Sequence, residues 1–183
     1  MNTADSPTEG VRDTESDIHP SVLAKAIPFR RIDHIALAVV DLEEAIVLFR
    51  DVLGFELTHR RHIAGKLSGM VSAEMEGNGM RFVLCQGTEP ESQVAQLIRN
   101  FGPGVAHIAL EVEEVDSTVN QLRSRGLSFD TTVIRGPGLT QAFSSRCKNS
   151  GMSFEIIHRE GEDGFLDSNV QSLFDQLEQS GKY

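Results

Sequence analysis

The sequence is poor in cysteine, in basic residues and in long apolar runs. Its two cysteines, Cys85 and Cys147, are too few for a disulfide framework and lack the spacing of a metal-ligand pair. No apolar run reaches the ~18 residues that a membrane-spanning helix needs. Lys and Arg total 17 against 27 Asp and Glu, a formal charge of −10. Such a surface would repel nucleic-acid phosphates, so we expect neither a nucleic-acid nor a membrane partner.

The start of the chain is polar and acidic. Residues 1–17 carry five acids and a single arginine before any apolar cluster, the reverse of a secretory signal. We therefore expect a cytoplasmic protein in which residues 1–28 form a mobile acidic tail, because this composition cannot offset its ordering entropy by burial. With 39% hydrophobic residues the remainder can bury a core, and we predict one folded domain over residues 29–160.

The folded part contains an internal duplication. The tetrapeptide His-Ile-Ala-Leu occurs at 34–37 and again at 107–110, an offset of 73 residues. In each copy an alternating strand is followed by a helical pattern that ends at a glycine, Gly54 or Gly126, and then by further strand-like runs. The pattern predicts an α+β fold of two β-α-β-β-β modules, at about 30–86 and 104–158, linked by a short helix near Gln93 to Arg99.

The duplication also predicts a shared cavity. Two copies related by a pseudo-twofold axis would bring His34 and His107 to one interior point from two sides. The rows of Ile, Leu and Val would pack on the helices, while the His and Ala faces would line the concave side.

A third candidate ligand is the acid in the apolar strand Met152 to His158. Glu155 would be costly to bury there unless it is paired or binds a cation. The repeat offset places Val83 at the symmetric position, so a fourth ligand is absent and one face of the metal stays open. Two imidazoles, one carboxylate and open positions are typical of non-haem Fe(II) sites, although Mn, Co or Zn also fit these ligands. A closed structural zinc site would need four ligands.

Other polar residues receive plainer interpretations. We interpret the run Thr58 to Ile63, with His59 and His62, as a solvated basic strand end. His158 lies three residues after Glu155, so strand alternation turns it to the opposite face. Cys85 shares the inward parity of Val83 and is expected to line the pocket rather than to bind metal.

These residues resemble the vicinal oxygen chelate superfamily, which has the glyoxalase/bleomycin-resistance fold. From Phe82 to the C-terminus the chain is most similar to the catalytic domain of 4-hydroxyphenylpyruvate dioxygenase. The stretches that carry this similarity are Glu91 to Leu110, Leu139 to Phe143, Ser153 to Arg159 and Gly164 to Phe174.

The resemblance implies an open, cupped barrel with Fe(II) held by His34, His107 and Glu155. It further implies a pocket that contains Gln93, Gln141 and Phe143, and a lid helix over residues 161–183 that includes Phe165. The implied reaction is that of a non-haem iron dioxygenase: a small organic acid, a 2-oxo acid by resemblance, binds through its carboxylate and keto oxygens, is decarboxylated and receives oxygen from O2.

Four pocket positions depart from the dioxygenase pattern, which implies a substrate other than 4-hydroxyphenylpyruvate. They are Gly69, Gln86, Ala106 and Ser153.

Three alternatives remain open. Asp33 to Ala45 equally resembles methylmalonyl-CoA epimerase, a metal-dependent enzyme, but residues 61–71 lack the acid and glutamine that proton transfer requires. A small-molecule binding or resistance protein would need no ligand triad. Extradiol dioxygenases share the triad, but they usually carry a histidine and a tyrosine beside the metal. The only tyrosine here, Tyr183, is terminal. A homodimer is possible on fold-level analogy.

Overall fold

The computed structural model describes residues 26–65, 68–161, 170–171 and 175–176. Most of the predicted tail and most of the predicted helix at 161–183, including Phe165, therefore lie outside the described residues. The elements are β1 (Arg31–Ala38), α1 (Leu42–Val47), β2 (Glu56–Ala64), β3 (Gly69–Gly77), β4 (Met80–Gly87), α2 (Gln93–Phe101), β5 (Gly104–Glu111), α3 (Val115–Ser124), β6 (Ile134–Gly136), β7 (Leu139–Phe143) and β8 (Phe154–Arg159).

The predicted α+β class and its two β-α-β-β-β modules are confirmed. The described strands form one curled sheet in the order β2-β3-β4-β1-β5-β8-β7-β6. The first strands of the two modules, β1 and β5, pair antiparallel at the centre. Each pairs in parallel with the last strand of its own module, β4 or β8. The duplicated segments therefore meet in the middle of the sheet.

The helices cover the convex face of this sheet. Asp41 caps α1 by accepting a hydrogen bond from the backbone N–H of Glu44 at 2.9 Å. Burying each large apolar side chain under α1 or α3 stabilises the fold by ~1.5–3 kcal/mol. The cluster under α1 contains Leu42, Ile46, Met75 and Leu84, and the cluster under α3 contains Val115, Val119, Ala142 and Ile156. Residues of the opposite strand parity face the concave side.

Two details differ from the predicted helices. The helix predicted to run to Gly54 is α-helical only to Val47, and Leu48–Val52 continues it as a π-helix. The linking helix α2 extends two residues beyond the predicted Arg99, to Phe101. In the described part of the chain, no helix is both long and apolar enough to cross a membrane.

The N-terminus of α2 is held against the end of β4. Ser92 caps the helix by accepting from the backbone N–H of Ala95 at 3.1 Å. A Cβ at Gly87 would lie 1.9 Å from the Ser92 hydroxyl oxygen. The close approach of β4 to the helix cap therefore requires glycine at this position.

Candidate metal centre

His34, His107 and Glu155 meet on the concave face at the centre of the sheet. They come from β1, β5 and β8, and the strand register brings them together because His34 pairs with Ala109, which in turn pairs with Glu155. One ligand atom from each lies within 4.8 Å of the others. Glu155 Oε2 is 3.2 Å from His34 Nε2 and 3.4 Å from His107 Nε2. The two Nε2 atoms lie 3.3 Å apart.

This donor set fits a divalent cation. Both carboxylate oxygens of Glu155 are buried and have no hydrogen-bond partner among the described residues. A buried carboxylate that accepts no hydrogen bond is costly, and a cation between it and the two imidazoles would remove that cost. Two nitrogen ligands and one oxygen ligand suit Fe(II), Mn, Co or Zn, and do not single out one of them.

The pKa shifts of Glu155 and His107 favour their metal-binding forms, whereas the shift of His34 opposes it. Burial alone would raise the pKa of Glu155, but its interactions with His34 and His107 outweigh burial and lower the pKa to about 2. Burial lowers the pKa of His107, which favours the neutral imidazole that binds metal. Burial also acts to lower the pKa of His34, but attraction to Glu155 and a hydrogen bond with Asp33 raise it. Metal ions must therefore compete with a proton at His34.

A buried ion pair orients His34 from behind. The Nδ1–H of His34 donates to Asp33 Oδ1 at 2.8 Å, which directs the Nε2 lone pair to the centre of the cluster. Arg159 donates to the same carboxylate in a bidentate arrangement, at 2.7 and 2.8 Å. Burial opposes ionisation of Asp33, but Arg159 and His34 hold the pKa of its carboxyl well below the usual range. Asp33 therefore stays charged and fixes the tautomer of His34.

A cavity opens in front of the three ligands. It encloses about 450 Å³ of empty space, counting its open mouth. Its wall is mainly apolar and includes Ala36, Met70, Val83, Cys85, Phe143 and Val170.

Val83 occupies the fourth ligand position of the duplicated fold. It pairs with Ala36 as Glu155 pairs with Ala109, so the two modules place these residues equivalently. A valine has no atom that can bind a metal. The ligand set is therefore open to the cavity on the side of Val83. As expected from its parity with Val83, Cys85 also lines the cavity, and burial raises the pKa of its thiol to about 12.

The other residues that the resemblance placed in the pocket divide into three cases. Gln141 and Phe143 line the cavity, and Phe143 packs edge-on against His107 with ring centroids 5.1 Å apart. The Oε1 atom of Gln141 is buried without a hydrogen-bond partner among the described residues, so it can accept from a bound ligand. Gln93 does not line this cavity, because it is the first residue of α2, which begins after the chain has left the sheet. Phe165 lies outside the described residues.

A short described piece of the predicted C-terminal helix lies against the cavity. Val170 is helical, buried and part of the cavity wall. Its neighbour Gln171 donates from Nε2 to the backbone carbonyl of Ala64 at the end of β2, at 3.1 Å. The C-terminal region therefore contributes to the cavity, although its role as a lid stays a prediction.

The sequence interpretation missed one polar element of the wall. The run Thr58 to Ile63 is not solvated throughout: His59 and His62 are exposed, but Arg61 is only 8% exposed. Arg61 lines the cavity and forms a buried ion pair with Glu74 of β3, which is 2% exposed. The parity shared by Arg61 and the buried Ile63 is the signal that would have identified it.

Comparison with known proteins decides the family. Residues 31–151 match the sequence profile of the Glyoxalase/Bleomycin resistance protein/Dioxygenase superfamily. The chain belongs to this superfamily. The curled sheet of two modules and the ligand cluster at its centre are thus features of a superfamily member, and they agree with the resemblance drawn from the duplicated histidine strands.

Individual relatives of this superfamily member differ in activity. The 4-hydroxyphenylpyruvate dioxygenase of Pseudomonas aeruginosa is 29% identical over 171 residues, which cover 74% of this chain and 46% of the dioxygenase. The chain thus spans about half the length of the curated dioxygenase relatives that it matches. A mutant of 4-hydroxymandelate synthase from Streptomyces coelicolor has a TM-score of 0.75 at 21% identity, over 89% of this chain and 57% of the synthase, and shows the shared fold alone. Methylmalonyl-CoA epimerase from Mycobacterium tuberculosis has a TM-score of 0.62 at 26% identity, over 77% of this chain and 95% of the epimerase.

Proposed function

We propose that this protein is a non-haem Fe(II)-dependent oxygenase of the 4-hydroxyphenylpyruvate dioxygenase-like type, acting on a small 2-oxo acid with O2. The observation that carries the proposal is the set of three ligands with Val83 at the fourth position. Such a set leaves room for the two oxygens of a chelating acid and for O2. The similarity to the Pseudomonas aeruginosa dioxygenase supports the same reaction class.

The residues of the chain divide the work as follows. His34, His107 and Glu155 would hold the metal, which when bound supplies Lewis acidity and redox chemistry with O2. Asp33 keeps the His34 ring in one orientation and one tautomer. Gln141 would orient the substrate by accepting a hydrogen bond at Oε1.

The apolar residues of the cavity wall would restrain a ligand side chain and exclude water. Phe143 restrains the His107 ring by edge-on packing. Val83 and Val170 line the space in front of the ligands without offering polar atoms to water. A dry cavity strengthens the electrostatic interactions within it and protects reactive species from water.

Metal-dependent epimerisation is the second candidate, favoured by the likeness to the Mycobacterium tuberculosis epimerase. Proton transfer next to a carbonyl needs an acid/base group in the cavity that is not itself a metal ligand. Among the described residues that line the cavity, Glu155 is the only carboxylate, and it belongs to the ligand set. This arrangement favours the oxygenase.

Oxygen uptake with a panel of 2-oxo acids tests the proposal. Protein reconstituted anaerobically with Fe(II) should consume O2 and release CO2 with at least one acid, and His107→Ala should abolish both. His62→Ala is the matched control, because His62 is exposed on β2 and should leave turnover unchanged. Exchange of the α-hydrogen with deuterated solvent, without O2 uptake, would instead favour the epimerase. Neither reaction with any acid would favour a binding protein.

A further inference from the structure

The duplication allows the two sides of the concave face to be compared residue by residue. Cys85 on β4 lies two residues after Val83, and Ile157 on β8 lies two residues after Glu155. Val83 and Glu155 are equivalent in the two modules, so Cys85 and Ile157 are equivalent too. Strand alternation turns both side chains to the concave face of the sheet. One side therefore has a cysteine at the position where the other side has a larger isoleucine.

The side of the second module is filled. Ile157 packs with Ala109 and Leu139 in a buried apolar cluster. Two residues further along β8, Arg159 forms a buried ion pair with Asp33. None of these five residues belongs to the cavity wall. A ligand held at the metal centre therefore has no space to extend in this direction.

The side of the first module is open. Met70 is equivalent to Leu139, because each lies two residues before the strand partner of Cys85 or of its equivalent. Ala36, Met70 and Cys85 are thus the counterparts of the filled cluster, and all three line the cavity. Val170 packs on the same side, next to Met70. The space in front of the metal ligands therefore continues over β4 and β3.

The wall nearest to the central strands on this side is apolar. From β4, which pairs with β1, only Val83 and Cys85 line the cavity, whereas Ser72 and Arg61 line it from β3 and β2, further from the centre of the sheet. Burial raises the pKa of the Cys85 thiol to about 12, so the thiol stays protonated and acts as a small apolar side chain. The first atoms of a ligand beyond the metal would therefore meet an apolar surface.

We propose that Cys85 is a specificity-determining residue, because its small side chain leaves the space in which an extended apolar side chain of the substrate lies over β4, against Cys85 and Met70. The proposal rests on the proposed function, which supplies the chelating end of the acid. It names the substrate class more closely: 2-oxo acids whose side chain is apolar and longer than one carbon.

Calorimetric binding of straight-chain 2-oxo acids to the anaerobic Fe(II) protein tests this role without turnover. The probes are pyruvate, 2-oxobutanoate, 2-oxopentanoate and 2-oxohexanoate, which differ only in the number of methylene groups. Each buried methylene should tighten binding about fourfold. The affinity should therefore rise about 60-fold from pyruvate to 2-oxohexanoate.

Three variants separate size from thiol chemistry. Cys85→Ile copies the filled side, so it should keep the affinities for Fe(II) and pyruvate but reduce the rise with chain length to less than about fourfold. Cys85→Ala keeps the space without the thiol and should retain the rise. Cys147→Ile is the matched control, because it makes the same substitution at an exposed cysteine and should change neither affinity nor ranking.

The outcomes distinguish the two proposals. No rise in the original protein, a full rise in Cys85→Ile, or a rise lost in Cys85→Ala would overturn the role of Cys85 while leaving the oxygenase proposal in place. If no 2-oxo acid binds although Fe(II) does, the proposed function itself fails, and the role of Cys85 fails with it. A thermal melt confirms that each variant is folded. Cys85→Val, a smaller replacement that should also reduce the rise, keeps the test decisive if Cys85→Ile is not folded.

Discussion

Replacing Asp33 by alanine removes the carboxylate that joins His34 to Arg159. All three side chains are almost fully buried, with side-chain exposures of 1%, 2% and 4% for Asp33, His34 and Arg159. The variant would leave the Arg159 guanidinium without its bidentate partner, and the His34 ring without the acceptor that fixes its tautomer. We expect losses of both stability and metal affinity, by separate physical routes.

The stability loss follows from the buried charge. Removing one partner of a buried ion pair costs about 3–5 kcal/mol. For a domain of this size each kcal/mol lowers Tm by about 2–4 °C, so Asp33→Ala should melt about 6–20 °C below the original protein. The metal affinity should fall about 10–100-fold, as is usual when the residue that orients a metal-binding histidine is lost.

Thermal melts and Fe(II) titrations measure the two effects. The double variant Asp33→Leu/Arg159→Met removes both charges together and should recover most of the stability, whereas the metal affinity should stay low. Asp116→Ala is the matched control, because Asp116 pairs with Arg135 at the surface, and its loss should change stability by less than about 1 kcal/mol. An Asp33→Ala protein with unchanged Tm and unchanged Fe(II) affinity would refute the reasoning.

Three further predictions concern the cavity, a buried thiol and a tight contact. Val83→Glu adds a donor at the open position, so Fe(II) should bind more tightly while binding of a 2-oxo acid weakens, both measurable by calorimetry. Burial raises the pKa of Cys85 to about 12, above the ~8.5 of an unfolded thiol, so the folded state holds this proton more tightly. Stability should therefore fall as pH rises from about 9 towards 12, by up to about 1.4 kcal/mol per pH unit, and Cys85→Ala should remove this component in pH-dependent denaturation. Gly87→Ala would place a methyl group 1.9 Å from the Ser92 hydroxyl oxygen and should cost about 1–3 kcal/mol in urea unfolding, whereas a stability equal to that of the original protein would contradict the tight contact.

The duplication explains why much of the architecture could be predicted. Two identical tetrapeptides require two equivalent first strands, and their pairing at the centre of the sheet brings His34 and His107 together. Glu155 could be identified because it is the only acid of β8 and stands between two apolar residues, Phe154 and Ile156. Helix positions followed from the same periodicity, except where Leu48–Val52 widens into a π-helix, a change for which the sequence carries no simple signal.

The polar pair in the cavity wall could not be predicted in the same way. A register shift between Leu57 and His59 interrupts the alternation of β2. Counting from the preceding helix therefore does not reveal which of two adjacent arginines, Arg60 or Arg61, faces inward. Only the parity that Arg61 shares with Ile63, beyond the shift, indicates it. The partner Glu74 lies on another strand, and its role depends on a pairing register that local patterns do not determine.

The most direct test of the metal centre is an anaerobic Fe(II) titration combined with X-ray absorption spectroscopy of the loaded protein. We predict one ion per chain, with two imidazole nitrogens and one carboxylate among its ligands. We further predict that His34→Ala, His107→Ala and Glu155→Ala each abolish binding, whereas His62→Ala does not. Binding of unchanged affinity in any of the three ligand variants, or an ion without imidazole ligands, would contradict the account.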